Sequence, residues 1–440
     1  MNEALTAAPR DASASPPRAA FTDRLDAEFA LLASRRPNVA RAFTAWLRAP
    51  LGTLLALGII VGGTAGAMRQ DGDQVRFRRA AADMWGTGFF DVFHDGWIQV
   101  GPLYVLALGG FAHAVRWFGL SLELTSVAAG AIHGALIMWL ACITARRAAR
   151  ASSTARITAQ WGVGGLLVVG GLLSNAMVAD HPEELVVALL CALAATYVTA
   201  GRPGIAALLI ILATGVKQWG ITCGGVLGAE RRIRDVLLFG TVAAVGSVAL
   251  YAPFLVWGDV QTFSFRWPFP EHTWFEALPL FHGASGWSIR VVQGAASGLA
   301  GLAVARSRAG TPLLAILTAI SVRLALDPLR LTYYWMAWAA VLAVWAWSTP
   351  ALRLVRSRLA FSAPTALLTL VDLVPHGVVW HVETVLAVAV PAACLLIERR
   401  LLPPTDVESH TRTADGTLMH VPTQRDGLTR EMTRGSTRKP

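Results

Sequence analysis

Two stretches of the sequence hold residue types that could do chemistry. In MRQDGDQVRF, Asp71 and Asp73 stand just beyond an apolar run. A carboxylate there can serve as general base for a hydroxyl nucleophile, because it needs only to sit within hydrogen-bond reach of the proton it takes. Spacing alone fits a solvated loop acid equally well. In LIILATGVKQWGITCGG, residues 209–225, Lys217 lies among apolar residues. An unpaired ion at membrane depth costs about 3 kcal/mol even on lenient insertion scales, so Lys217 needs an anionic partner unless its stem carries the charge to an interface. A turn at VKQWG would also strand backbone groups unless it lined a polar cavity enclosed by protein.

Other polar residues share the same side of the apolar blocks. In SNAMVADHPEELVVALL, Asp180 or His181 can cap the following helix, Pro182 suits its first turn, and Glu183 and Glu184 suit the positive end of its dipole. The same His and Glu residues could instead hold a divalent ion or a sugar, and the spacing leaves both open. In ISVRLALDPLRLTYYWMAW, Arg323 stands four residues before Asp327, which predicts one helix face and an ion pair. Tyr333 and Tyr334 fit an interfacial aromatic belt or a stacking platform for substrate. The segment FRWPFPEHTWFEALPLFHGASGWSIR adds Arg266, His272, Glu276, His282 and Arg290 among aromatic residues.

These groups must be positioned by membrane helices. The chain of 440 residues is 54% hydrophobic and 15% charged, with a mean hydropathy of +0.50, and its apolar blocks recur from about residue 51 to about residue 400. That composition predicts an all-α, polytopic transmembrane bundle of about ten to twelve membrane helices. The net charge of +10 resides in short gaps and in the two tails, as topology signals do, and does not outline a nucleic-acid surface. Cys142, Cys191, Cys223 and Cys394 fall inside apolar segments without metal-like spacing and read as small packing residues.

Arginine-rich gaps near residues 48, 145–156, 200–204, 229–235, 305–310, 352–358 and 398–400 mark a cytoplasmic face. Residues 69–122, 179–184, 258–285, 326–334 and 374–383 then face out. VGPLYVLALGGFAHAV, residues 100–115, is laid along the outer surface, because a span there would put ARRAAR outside. AGRPG and AERRIRD both require the inside yet stand only about two dozen residues apart, which predicts two short helices that rise, break near Gly215–Gly220 and descend. Residues 1–50 form a cytoplasmic N-terminal region, 51–400 the membrane domain, and 401–440 a disordered cytoplasmic tail.

Taken in order, GDQVRF after the first span, QVGPLY, HPEE at a helix start, a helix pair broken at KQW, and LDP followed by YY resemble GT-C glycosyltransferases. The likeness is to actinobacterial-type, polyprenyl-phosphate-dependent mannosyl- and arabinosyltransferases, over about residues 50–400. It implies a GT-C bundle with surface-lying helices in an outer loop, and inverting transfer of a sugar, mannose or arabinofuranose, from a polyprenyl-phosphate donor to a lipid or glycan acceptor outside the plasma membrane. Asp73 matches the catalytic base, and Lys217 matches the cation facing the donor phosphate, with Arg290 and Arg330 as helpers. Asp71, Gln99, His181, Glu183, Trp219, Asp327 and Tyr334 become substrate-binding candidates. Where the family has an aromatic residue after the Asp, this chain has Gln74 and Val75, so Asp71 stays open as the base. The likeness implies that no nucleotide is used and assigns no certain cofactor; a divalent cation stays open. Two other classes compete: a lipid or solute transporter, because broken helices and buried charges also mark transport sites, and a non-catalytic membrane scaffold.

Overall fold

Apolar runs with no water to bond their backbone must satisfy it internally, and helices do so. The computed structural model describes residues 19–68, 72–230, 232–264, 286–327, 331, 333–352, 354–367 and 376–400, and their regular structure is entirely helical. The α-helices are α1 (Ala19–Arg35), α2 (Pro37–Arg48), α3 (Pro50–Met68), α4 (Asp73–Met84), α5 (Pro102–Trp117), α6 (Leu122–Ala148), α7 (Ser153–Val169) and α8 (Leu172–Val178). They continue as α9 (Pro182–Val198), α10 (Pro203–Val216), α11 (Ile233–Trp257), α12 (Gly286–Arg306), α13 (Pro312–Ala325), α14 (Tyr334–Ser348), α15 (Val355–Leu367) and α16 (His376–Arg399). A 3-10 segment, Gln218–Ala229, separates α10 from α11.

Among the described residues, five helices are long and apolar enough to cross a membrane: α3, α6, α11, Trp287–Arg306 of α12 and His381–Arg399 of α16. The bent pair α7 and α8, which meet at 42°, makes a sixth if the two count as one span. The protein is therefore a helical, multi-pass membrane protein, and among the described residues its full-length spans number fewer than the ten to twelve membrane helices, a short broken pair included, that composition predicts. The difference lies in short helices such as α10 and α13, which are apolar but only 14 residues long. Leu237, Val245 and Val248 on α11 stay more than half exposed, as lipid-facing side chains do. By contrast, α14 is buried from Tyr334 to Trp347 and packs against α6, α7, α9, α13 and α15.

The closest helix pair is α3 with α6. A Cβ on Gly62 would strike the Gly130 carbonyl, and one on Gly134 would strike the Gly58 carbonyl. Small residues at this spacing let two backbones approach where no hydrophobic force drives helices together. The segment after α3 builds a separate apolar core, with Phe77, Ala81 and Met84 of α4 against Tyr104, Val105 and Leu108 of α5 and Phe254 of α11. α5, of 16 residues, is not among the helices long and apolar enough to span.

The chain breaks where expected. α10 stops at Val216, and Lys217 is extended, with φ −155° and ψ 137°. Gly220 then lies against the Ala213 backbone, close enough that a Cβ would come within 2.6 Å of it, so the chain has reversed direction. Fourteen α-helical residues rise roughly 21 Å and twelve 3-10 residues descend roughly 24 Å, which returns the chain to the level of Arg202. The carbonyls freed at the reversal find donors: Tyr251 Oη–H donates to Thr214 at 2.8 Å and the Gly101 amide to Val216 at 2.7 Å. A buried irregular turn persists on that condition. Residues 401–440 lie outside the described residues.

Candidate functional site

Lys217 meets its anions. Its Nζ lies 2.9 Å from Glu183 Oε1 and 2.8 Å from Glu184 Oε1, and both carboxylates are fully buried in the first turn of α9. The Glu183 contact is a hydrogen bond. The Glu184 contact is off the angle for one and counts as an ion pair by distance. Lys217 is thus buried at the turn and does not snorkel. The chain uses lysine only twice, at 217 and 439, among 38 basic residues. A compact ammonium with rotatable donors can bridge two carboxylates that a planar guanidinium would have to splay apart.

Glu183 leads outward to Asp73. Its Oε1 sits 2.7 Å from His181 Nδ1, and His181 Nε2 sits 3.2 Å from Asp73 Oδ2. His181 is the residue before α9 yet makes no side-chain capping bond, so capping is not its role. Its ring stacks on Tyr333, with centroids 3.7 Å apart. In the other direction Arg323 Nη1 reaches Glu184 Oε2 at 3.7 Å. The result is one chain of alternating charge, Asp73–His181–Glu183–Lys217–Glu184–Arg323, in which each acid stands beside a base.

Arg323 does not take Asp327 as its partner, contrary to the four-residue spacing. α13 ends at Ala325, so Asp327 leaves the helical register. Asp327 instead pairs with Arg290 and accepts from Gln293 Nε2 at 3.1 Å. The Arg323 guanidinium lies 4.8 Å from the Trp219 ring and 4.6 Å from that of Tyr334.

Gln99, Lys217, Trp219, Arg290, Arg323 and Tyr334 line a single cavity of about 210 Å³, joined by Gln218, Thr222 and Gln293. Two of its buried donors, Trp219 Nε1 and Arg323 Nη1, have no hydrogen-bond acceptor among the described residues. Asp73 is not part of this lining. Its side chain is 40% exposed, and His181 and Glu183 stand between it and the cavity. Asp327 is likewise set behind Arg290. Asp71 and Arg330, together with Arg266, His272, Glu276 and His282, lie outside the described residues. Among the described residues, no group of three or more His, Cys, Asp or Glu is arranged to hold a metal ion.

Sequence reading missed Gln74 and Gln293 as parts of the site. Gln74 Nε2 donates to the Asp180 carbonyl at 2.9 Å and to Glu183 Oε2 at 3.4 Å, while its Oε1 accepts from Tyr104 Oη at 3.0 Å. Gln293 also donates to the Arg323 carbonyl at 2.6 Å. For Gln293 the available signal was an amide within an apolar stretch, a placement that demands partners, whereas Gln74, in the polar run DGDQVRF, carried no such signal.

The outer pair titrates together. The hydrogen bond from His181 is the main reason the Asp73 carboxyl falls below its ordinary 3.8; burial opposes this, and the charges of His181 and Arg76 reinforce it. Burial alone would lower the His181 imidazole, but the Glu183 charge and the hydrogen bonds to Asp73 and Glu183 outweigh it and raise the value above 6.5. With a carboxylate at each ring nitrogen, the doubly protonated imidazolium is the favoured form. A raised His181 stabilises the fold fully below 6.5 and loses that contribution as pH climbs through its folded value. A lowered Asp73 contributes above 3.8 and loses it as pH falls through its folded value, so the pair is worth most between these limits. The loss in unfolding temperature caused by His181→Gln is therefore larger at about pH 6 than at about pH 9. Equal losses at both would mean that the imidazole does not change its charge between these two values.

Comparison of the chain with family models, with curated proteins and with solved structures returns no match, so its chemistry has to be read from the geometry itself.

Proposed function

We propose that this protein is a membrane glycosyltransferase that moves a sugar, mannose or arabinofuranose, from a polyprenyl-phosphate donor to a hydroxyl of a lipid or glycan acceptor. In this reading the site is extracytoplasmic in the plasma membrane, the arginine-rich ends are cytoplasmic, and the bundle is of GT-C type. The observation that carries the reading is the cavity beside the charge chain. Its lining has Lys217, Arg290 and Arg323, with Arg323 Nη1 and Trp219 Nε1 buried donors that have no acceptor among the described residues, a set that suits phosphate oxygens, and Asp73 stands three links from Lys217 along the same chain.

The acceptor hydroxyl attacks the anomeric carbon, and its proton passes to Asp73. The bond from that carbon to the phosphate oxygen breaks, and the electron pair leaves with the lipid phosphate. Lys217 is already matched by Glu183 and Glu184, and Arg290 by Asp327, so the growing phosphate charge falls chiefly to the donors without acceptors, Arg323 Nη1 and Trp219 Nε1. Because His181 and Glu183 separate Asp73 from the cavity, the donor phosphate has to lie at the Lys217 edge of the cavity for a hydroxyl held by the exposed Asp73 to reach the anomeric carbon. Positioning of the two supplies much of the remaining acceleration.

One observation favours a second reading. Acids and bases that alternate at membrane depth are what proton relays in transporters are made of. One experiment separates the two. The protein reconstituted in vesicles is given a small panel of polyprenyl-phosphate sugars with acceptor lipids, and release of the free lipid phosphate is measured. Release with sugar transfer is the expected result. Movement of a labelled lipid or solute across the vesicle membrane without any sugar transfer would select the transporter.

A further inference from the structure

The end of the bundle opposite the charge chain carries a second, unrelated concentration of charge. Arg146 and Arg147 close α6, Arg150 follows it, and Arg156 lies in the first turns of α7. Together they line an open hollow of about 400 Å³. None of the four pairs with a carboxylate among the described residues, whose ion pairs all involve other groups.

Two of the four are held in place. Arg147 Nε donates to Thr196 Oγ1 at 3.2 Å, and its guanidinium lies 3.7 Å from the Tyr197 ring centroid. Arg150 donates to the Thr199 and Thr196 carbonyls at 2.9 and 3.1 Å, which covers the negative end of α9. Arg146 and Arg156 are exposed and make no such contact. The hollow thus has a pre-organised floor and two uncommitted arms, the arrangement that reduces the ordering cost of binding an anion.

Its level in the bundle points to the anion. α9 carries Glu183 in its first turn and the Arg150-capped carbonyls in its last, and its 17 residues span about 25 Å. That approaches the thickness of a bilayer hydrocarbon core, so with the Glu183 end of α9 at membrane depth its other end, with the arginines, reaches the opposite headgroup level. Basic hollows between membrane helices at that level suit anionic phosphate headgroups. We infer that Arg146, Arg147, Arg150 and Arg156 form a binding site for a phosphate anion, supplied by an acidic lipid headgroup or by a soluble phosphate.

The full chain in nonionic micelles is titrated in separate arms with short-chain phosphatidylglycerol, with zwitterionic phosphatidylcholine and with inorganic phosphate, and binding is read as stabilisation against heat. Saturable stabilisation by phosphatidylglycerol beyond that by phosphatidylcholine assigns a lipid source. Saturation by inorganic phosphate assigns a soluble one. In either case R146A/R156A, which leaves the α9 cap intact, raises the dissociation constant at least about tenfold, whereas R306A/R308A at the same end of the bundle leaves it unchanged. Absence of saturation in both anionic arms, an unchanged constant in R146A/R156A, or an equal loss in R306A/R308A overturns the site.

Discussion

Lys217→Met lowers the stability of the protein by about 3–5 kcal/mol, the cost of removing one member of a buried ion pair and leaving the other uncompensated. Here two fully buried carboxylates lose the ammonium they share; Glu183 keeps His181 at 2.7 Å, so the larger part of the cost falls on Glu184. Arg323 is too distant to replace it: its nearest approach to Glu184 is 3.7 Å. Lys217→Arg restores the charge but not the compact bridge, so it recovers only part of the loss. Adding Glu184→Gln to Lys217→Met also recovers part of it, because the double change removes one orphaned charge, and the cycle isolates the coupling. Unfolding of each variant in the same micelles by heat or denaturant checks the order: wild type, then the two partial rescues, then Lys217→Met. A Lys217→Met protein as stable as wild type would mean that Glu183 and Glu184 are buried as neutral acids and that the charge chain does not exist.

The second large effect is on rate. Asp73→Asn retains the oxygen that accepts from His181 Nε2 and alters a side chain that is 40% exposed, so the fold is little changed. What it removes is the ability to take a proton, worth about 10²–10⁴-fold in rate. Release of lipid phosphate from the donor falls by that factor while donor binding in the cavity persists, since Asp73 does not line it. Loss of binding together with rate would mark Asp73 as a structural partner of His181. Full transfer in Asp73→Asn would remove it as the base.

The two variants probe opposite ends of one chain for different reasons. Lys217 is surrounded, and its first duty is to let α9 begin inside the protein with two glutamates. Asp73 is open on one side and held ionised by His181. Stability should therefore follow the inner members, and activity the outer ones.

The helical, membrane-embedded class was legible in composition, because the solvent preference of each residue is a property of the residue itself and accumulates along an apolar run. The break at Lys217 was legible for the same local reason: two arginine-rich gaps too close for one simple hairpin of full spans. So was the need of Lys217 for an anion, which follows from the cost of a charge at depth. Which anion was not legible. Glu183 and Glu184 precede Lys217 by more than thirty residues, and in sequence they look like helix-start acids. Only the packing of α9 against α10 turns them inward. Arg323 and Asp327 show the converse, a pairing that spacing predicted and tertiary structure redirected: α13 ended two residues before Asp327, and Arg290, 37 residues away, took it. Local sequence determines where a charge is costly. The distances between helices, which no single segment encodes, decide which opposite charge is close enough to offset that cost.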